Sequence, residues 1–341
     1  MSFCLSYLDS GDDYFIDQTR LVLERTAETM CGLGSAQVEL YCGADASHHG
    51  QLMHHFENLV PEYTSIATST QLGPNIFWTL TALQYVAATG DHDWLVDTAL
   101  PFIDLSTDYI LNQFDASKGL LKVQGPLWID VLVRENYTSD SNAAAVYLFG
   151  KLASMYDLVN GGDVQNARSV QLRDIRQQII RGMNELLWNT TANDHYITQL
   201  NPDGTTRDFV DYDANLLAVA FGAAETEERM TSILARVDSG NYTHVRGTWC
   251  CEVPYSGDAE DCYIVGGDVC GDSIVTLARI GWADSHARKR LGDAASAAVF
   301  MDKLLVPLQQ DLLSDIWLYE RYDYVSAVPE SAGYRIVFIS C

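Results

Sequence analysis

Positive charge is scarce in this chain. Lysine and arginine total 21 against 46 aspartates and glutamates, a net charge of −25 over 341 residues. A surface of that sign repels nucleic acid and anionic membranes, so neither is expected as a partner. No run approaches the ~18 apolar residues needed to span a bilayer. Residues 1–10 have no basic segment followed by an apolar one, so no secretory signal is read there. The eight cysteines are too few for a disulfide scaffold of this length, and the absence of C-x-x-C argues against zinc. G-x-S-x-G, P-loop and dinucleotide fingerprints are missing as well. No cofactor or metal is therefore expected. The compartment stays open: cytoplasmic by default, with secretion compatible with sequons at Asn136, Asn189 and Asn241.

What is present is apolar residues at helical spacing. With 48% hydrophobic residues the chain can bury a large core, and one domain over 1–341 is expected, with an atypical tail from Ser314. Periodicity predicts helices over about 12–31, 73–89, 92–109, 144–159, 172–186, 213–221, 230–237, 269–282 and 293–313. Pro101 is expected to bend the third. The connections alternate: 89–92, 160–163 and 222–225 are short, whereas 33–73, 115–141, 189–212 and 238–268 are long. Short connections join antiparallel neighbours, so the long ones must gather at the opposite end. The fold class expected is all-α, an α/α toroid of helical hairpins with its long loops lining one mouth; an open solenoid of helix pairs is the alternative.

The long loops hold the chemistry. Residues 125–142 carry Trp128, Asp130, Arg134, Glu135 and Asp140, and the alternation Leu127, Ile129, Val131, Val133 suggests a strand-like run. Asp140 is expected to cap the following helix. The other loops offer Glu57, Glu62 and Tyr63, then Asp208, Asp211 and Asp213, then His244, Trp249, Glu252, Tyr255 and Asp268, and the tail offers Glu320. Indole and phenol rings stack on the C–H faces of sugars, carboxylates and arginine bind hydroxyls, and glycosidic cleavage needs two carboxyl groups. The expected partner is a carbohydrate. Asp211, Asp213 and Asn215 could begin a calcium loop, but its later glycine and glutamate are missing, so helix capping is favoured. His48, His49, His54 and His55 fit no tidy metal spacing. Trp78, Trp188 and Trp282 fall on helical patterns and are read as core.

Five segments together resemble the six-hairpin glycosidases, which include trehalases, glycogen-debranching glucosidases, glucoamylases and α-L-rhamnosidases. They are Gly73-Pro-Asn-Ile-Phe-Trp78, Ala87-Ala-Thr-Gly-Asp91, Trp128-Ile-Asp130, Phe209-Val-Asp-Tyr-Asp-Ala-Asn215 and Gly271-Asp-Ser-Ile-Val-Thr-Leu-Ala-Arg-Ile-Gly-Trp282. The resemblance spans roughly residues 12 to 325 and implies an (α/α)6 ring. It implies Asp130 as proton donor, with Glu135 as runner-up. The base in such enzymes is a late glutamate, which leaves Glu320 and Glu252; no final inner helix is read after Glu320, which leaves open a partial toroid, a divergent or truncated member, or a fragment whose ring is completed elsewhere. Trp128, Arg134, Glu57, Tyr63, Asp211, Asp213, Trp249, Tyr255 and Asp268 are then substrate-binding candidates. The alternative is a carbohydrate-binding or scaffold member that has lost the base. An epimerase or lyase of the same fold would rely on His or Tyr, such as His244.

Overall fold

The computed structural model describes residues 11–33, 38, 42, 46–57, 60–64, 70–125, 127, 134–208, 210–239, 275–299 and 321–323. The first helix, α1 (Asp13–Ala27), is capped by the Asp12 carboxylate accepting from the Tyr14 N–H and buries Ile16, Leu23 and Ala27. It stops before the expected Cys31. Thr29 donates to the Thr26 carbonyl, and Cys31 is held instead in a buried disulfide with Cys42. The hairpin β1 (His55–Glu57) and β2 (Val60–Glu62) follows within the first long connection.

Next, α2 (Gly73–Thr89) packs on α1 through the Trp78 indole, which donates to the Leu23 carbonyl. Gly90 ends it at φ 72°, a left-handed position that suits glycine. Asp91 opens the return by accepting from the Trp94 N–H. This return is a turn of α-helix (His92–Trp94), a π-turn (Leu95–Ala99) and α3 (Leu100–Leu111). Pro101 lacks the N–H that the Asp97 carbonyl would accept from, and the helix widens just ahead of it. Strands β3 (Phe114–Asp115) and β4 (Leu120–Leu121) pair next.

Strand β5 (Tyr137–Thr138) leads into α4 (Ser139–Val159), which turns at Asn160-Gly-Gly-Asp163 into α5 (Ala167–Gly182). The Asn166 side chain caps α5 by accepting from the N–H groups of Arg168 and Ser169. The third long connection contains β6 (Gln199–Leu200) and β7 (Thr206–Arg207), folded about Asn201-Pro-Asp-Gly204. Then come α6 (Tyr212–Ala220), α7 (Glu227–Ser239), β8 (Val275–Leu277) and α8 (Ala278–Arg290), with 294–299 helical again.

Helices α2, α4, α6 and α8 lie side by side in that order, and α5 and α7 pack behind α4 and α6. The burial pattern explains the layering. Every residue of α6 from Tyr212 to Val219 is buried, whereas α5 and α7 bury one stripe each. Helices apolar all round must sit inside, and amphipathic ones form the outer layer. The alternation of short and long connections thus produces the toroid of hairpins expected from the sequence. Two expectations are corrected. The helix placed over 269–282 begins at Ala278, because the β-branched Val275 and Thr276 join an antiparallel pair with β9 (Arg321–Asp323). By the same pairing, residues 321–323 of the supposed tail return to the body.

Candidate active site

The long connections meet at the starts of the inner helices. β5 pairs with β6, in the register Tyr137↔Leu200 and Thr138↔Gln199, and β6 pairs with β7, so the second and third long loops share one sheet. Leu127 lies against the start of α2: a Cβ on Gly73 would fall 1.9 Å from its carbonyl oxygen. Only glycine admits that approach.

Three asparagines fix these loops by one device. Asn75 accepts from the Leu52 N–H (3.1 Å) and donates to the Gly50 carbonyl (2.6 Å). Asn142 accepts from the Leu121 N–H (2.8 Å) and donates to the carbonyls of Leu121 and Thr138. Asn215 accepts from the Tyr196 N–H (2.7 Å) and donates to the carbonyls of Tyr196 and Asp211. All three are fully buried, each in the first turn of an inner helix, and each holds backbone of the connection before it. An amide can donate and accept at once, so it can replace a missing strand neighbour. The sequence carries this signal in Asn75-Ile-Phe, Asn142-Ala-Ala and Asn215-Leu-Leu: an amide opening an apolar helix. Sequence reasoning missed it.

Between these pins lies an acidic cluster around one arginine. Asp211 caps α6 by accepting from the Ala214 N–H (3.1 Å). Asp213, in the first turn of α6, is buried, and so is Arg134. Asp140 accepts from Leu127 N–H (3.2 Å) through one oxygen and from Ser141 N–H (2.6 Å) through the other. Burial, with the Asp213 and Asp140 charges added, raises Asp211 to about 7 despite the opposing field of Arg134. Asp211, Asp213 and Arg134 are thus brought together, as is Asp140.

Other candidates fall elsewhere. Glu135 is exposed at the rim, its N–H held by the Gln199 side chain (3.2 Å). Glu57 sits in the β1–β2 hairpin opposite Val60. Tyr63 is a correction: it is buried, and its hydroxyl donates to the Thr29 carbonyl (2.6 Å), so it braces the core beside the disulfide rather than facing sugar. Asp140 is a second correction, since Thr138 is the N-cap residue of α4 and Asp140 ties that helix to Leu127. Trp78 and Trp188 are buried, as read from their helical patterns, and Trp282 is partly so. Trp128, Asp130, His244, Trp249, Glu252, Tyr255, Asp268 and Glu320 lie outside the described residues, as do Ile129, Val131 and Val133 of the alternating run.

The third loop has a second lock that the sequence concealed. His195 is buried between Asp194 (Nδ1, 2.6 Å) and Asp208 (Nε2, 2.9 Å), and the Asn189 amide donates to Asp208. The Asn189 oxygen accepts from the N–H groups of Thr191 and Ala192. The Asn136 amide is likewise engaged, with Asn201. These two sequon asparagines therefore serve internal bonds. His48 bonds Gln51, and His54 bonds His55. Among the described residues no three His, Cys, Asp or Glu side chains converge as a metal-binding set.

No family model matches this chain, and no curated protein matches it in sequence. Solved structures do match in fold. A GH78 rhamnosidase of Bacillus sp. GL1 superposes with a TM-score of 0.53 at 16% identity, over 77% of this chain and 24% of its own. A rhamnosidase from Klebsiella oxytoca with rhamnose bound gives 0.55 at 12%, over 79% and 44%. This chain therefore spans less than half the length of either rhamnosidase. A GH63 mannosylglycerate hydrolase from Thermus thermophilus in complex with glucose gives 0.57 at 14%, over 86% and 83%. The fold of this chain is the α/α toroid found in those glycosidases.

Proposed function

We propose that the protein is a glycoside hydrolase whose site is the mouth where the long loops meet. The observation that carries this reading is the cluster of Asp140, Asp211 and Asp213 around the buried Arg134, at the starts of the inner helices of a fold shared with rhamnosidases and a mannosylglycerate hydrolase. Fixed carboxylates and a guanidinium are what bind sugar hydroxyls in a set orientation. Asp211, raised to about 7, keeps its proton near neutrality and can donate to a hydroxyl.

The resemblance assigns proton donation to Asp130, three residues beyond the Leu127 that α2 and Asp140 anchor. Its partner is Glu320 or Glu252. One carboxyl protonates the leaving oxygen and the other attacks the anomeric carbon or activates water. Substrates of the rhamnose and glucose classes fit the sugars seen in the similar structures. The test is turnover on a panel of α- and β-linked glycosides by wild type and Asp130→Asn. Hydrolysis that falls at least about 100-fold in the variant supports the proposal. Sugar binding without any turnover would instead identify a carbohydrate-binding protein of the same fold.

A further inference from the structure

The end of the toroid opposite the mouth carries a cluster of cations unusual for so acidic a chain. Helix α4 has 21 residues and α6 has nine, and their pinning asparagines occupy matching first turns. The 12 further residues of α4 therefore continue past the end of α6 by about 18 Å. Lys151 and Ser154 on that stretch are exposed, and Tyr147 is half-exposed.

Three basic side chains gather at this step. Arg176 reaches across from α5, its Nε donating to the Val146 carbonyl (3.0 Å). It crosses α4 at Gly150, where a Cβ would sit 3.3 Å from Nε. Tyr147 and Lys151 belong to the same turn, with the Lys151 ammonium 5.3 Å from the Tyr147 ring centre. Tyr147 stacks on Phe221 (4.6 Å, 16°), the last residue before Gly222. The Arg290 guanidinium, at the end of α8, lies over Gly222, where a Cβ would be 2.8 Å from Nη2. Phe221 also meets Trp282, which stacks on His286. Two glycines thus let two guanidiniums lie on backbone beside an aromatic floor.

Among the described residues these cations have no counter-charge. Among the described residues no carboxylate lies within ion-pairing distance of Lys151, Arg176 or Arg290, although acids outnumber bases 46 to 21 in the chain. Nor does any Arg176 Nη group donate a hydrogen bond there. Burial, and then the nearby charge of Arg290, push Arg176 below its ordinary value. Like charges held together on rigid elements repel unless an anion lies between them. Planar guanidiniums match the geometry of a tetrahedral or carboxylate oxyanion.

We propose that Lys151, Arg176 and Arg290 form a binding site for a small multiply charged oxyanion of the phosphate class, on the face of the toroid opposite the mouth. Tyr147 and Phe221 give that site a flat apolar wall, so an anion carried on a ring compound fits it as well as a free one. The site is separate from the proposed sugar site and does not depend on it.

Titration calorimetry and thermal melting with inorganic phosphate, at ionic strength held constant with chloride, test the proposal. Wild type should bind phosphate and melt higher in it than in matched chloride. Arg290→Gln and Lys151→Gln should each weaken phosphate binding at least tenfold, whereas Arg25→Gln, on α1, should not. Among the described residues the Arg290 side chain makes no hydrogen bond whose loss would unfold the chain. In phosphate-free buffer Arg290→Gln should melt at or above the wild-type temperature, because it relieves repulsion. Phosphate acting no differently from chloride, or binding unchanged in both variants, overturns the proposal. So does a lower melting point of Arg290→Gln without phosphate.

Discussion

Replacing Asn142 with alanine should destabilise the protein by about 3 kcal/mol. The side chain is completely buried and makes three bonds, to Leu121 N–H, Leu121 carbonyl and Thr138 carbonyl. The Leu121 N–H points away from β3, since Lys122 and not Leu121 donates to Gln113 across that hairpin. Truncation therefore strands a buried N–H, which costs about 1–3 kcal/mol, and forfeits two further bonds worth about 0.5–1.5 kcal/mol each. That is a large part of the roughly 5–15 kcal/mol of an ordinary folded domain. Urea unfolding should show a lower midpoint at unchanged slope. Asn142→Asp sharpens the test. A carboxylate still accepts from Leu121 N–H but turns its second oxygen toward two carbonyls. At neutral pH it should do no better than alanine, and acidification should restore part of the loss, because a protonated acid can donate. A loss below about 1 kcal/mol for alanine, or an aspartate variant as stable as wild type at neutral pH, would refute the reasoning that the amide substitutes for a strand.

Two further outcomes follow from the mouth. The folded state keeps Asp211 protonated up to about 7, against 3.8 for the ordinary group. The native state thus holds a proton that the unfolded chain has released, and stability falls as pH rises through that window. An asparagine side chain at this position would cap α6 without ionising, so Asp211→Asn should match wild type in melting temperature near pH 4 and exceed it near pH 8; a less stable variant near pH 8 contradicts the raised value. Gly73→Ala would drive a methyl into the Leu127 carbonyl, 1.9 Å away, and displace the loop leading to Asp130. It should cost about 1–3 kcal/mol and lower kcat/KM more than it raises KM, and wild-type melting and kinetics would show that the close approach is not needed.

Helix pairing was legible because it rests on local patterns. The apolar spacing in Leu172, Ile175 and Ile179, the glycines at 90 and 161–162, and the capping residue Asp91 each act within a turn or two of chain. The hairpin arrangement followed from that periodicity together with the connection lengths. The errors came where two segments distant in sequence compete for one residue. Tyr63 looked like a loop aromatic until its hydroxyl was placed on Thr29, 34 residues away. Val275 and Thr276 read as helix because their partner, 321–323, lies beyond any window of periodicity. Asp140 was read as a cap because its bond to Leu127 crosses 13 residues.

The sequence by itself determined an acidic chain of helical hairpins joined by alternating short and long connections, with Asp211, Asp213 and Arg134 among the candidates on the long ones. Composition and short-range spacing suffice for that, since charge, capping and amphipathic burial are local properties. Only the tertiary structure decided which acids share a field, that Asp211 holds its proton, that three asparagines stitch the mouth together, and that Lys151, Arg176 and Arg290 meet at the far end. Those facts depend on distances between residues separated by tens of positions, and Coulomb energy and hydrogen bonding are set by such distances in space.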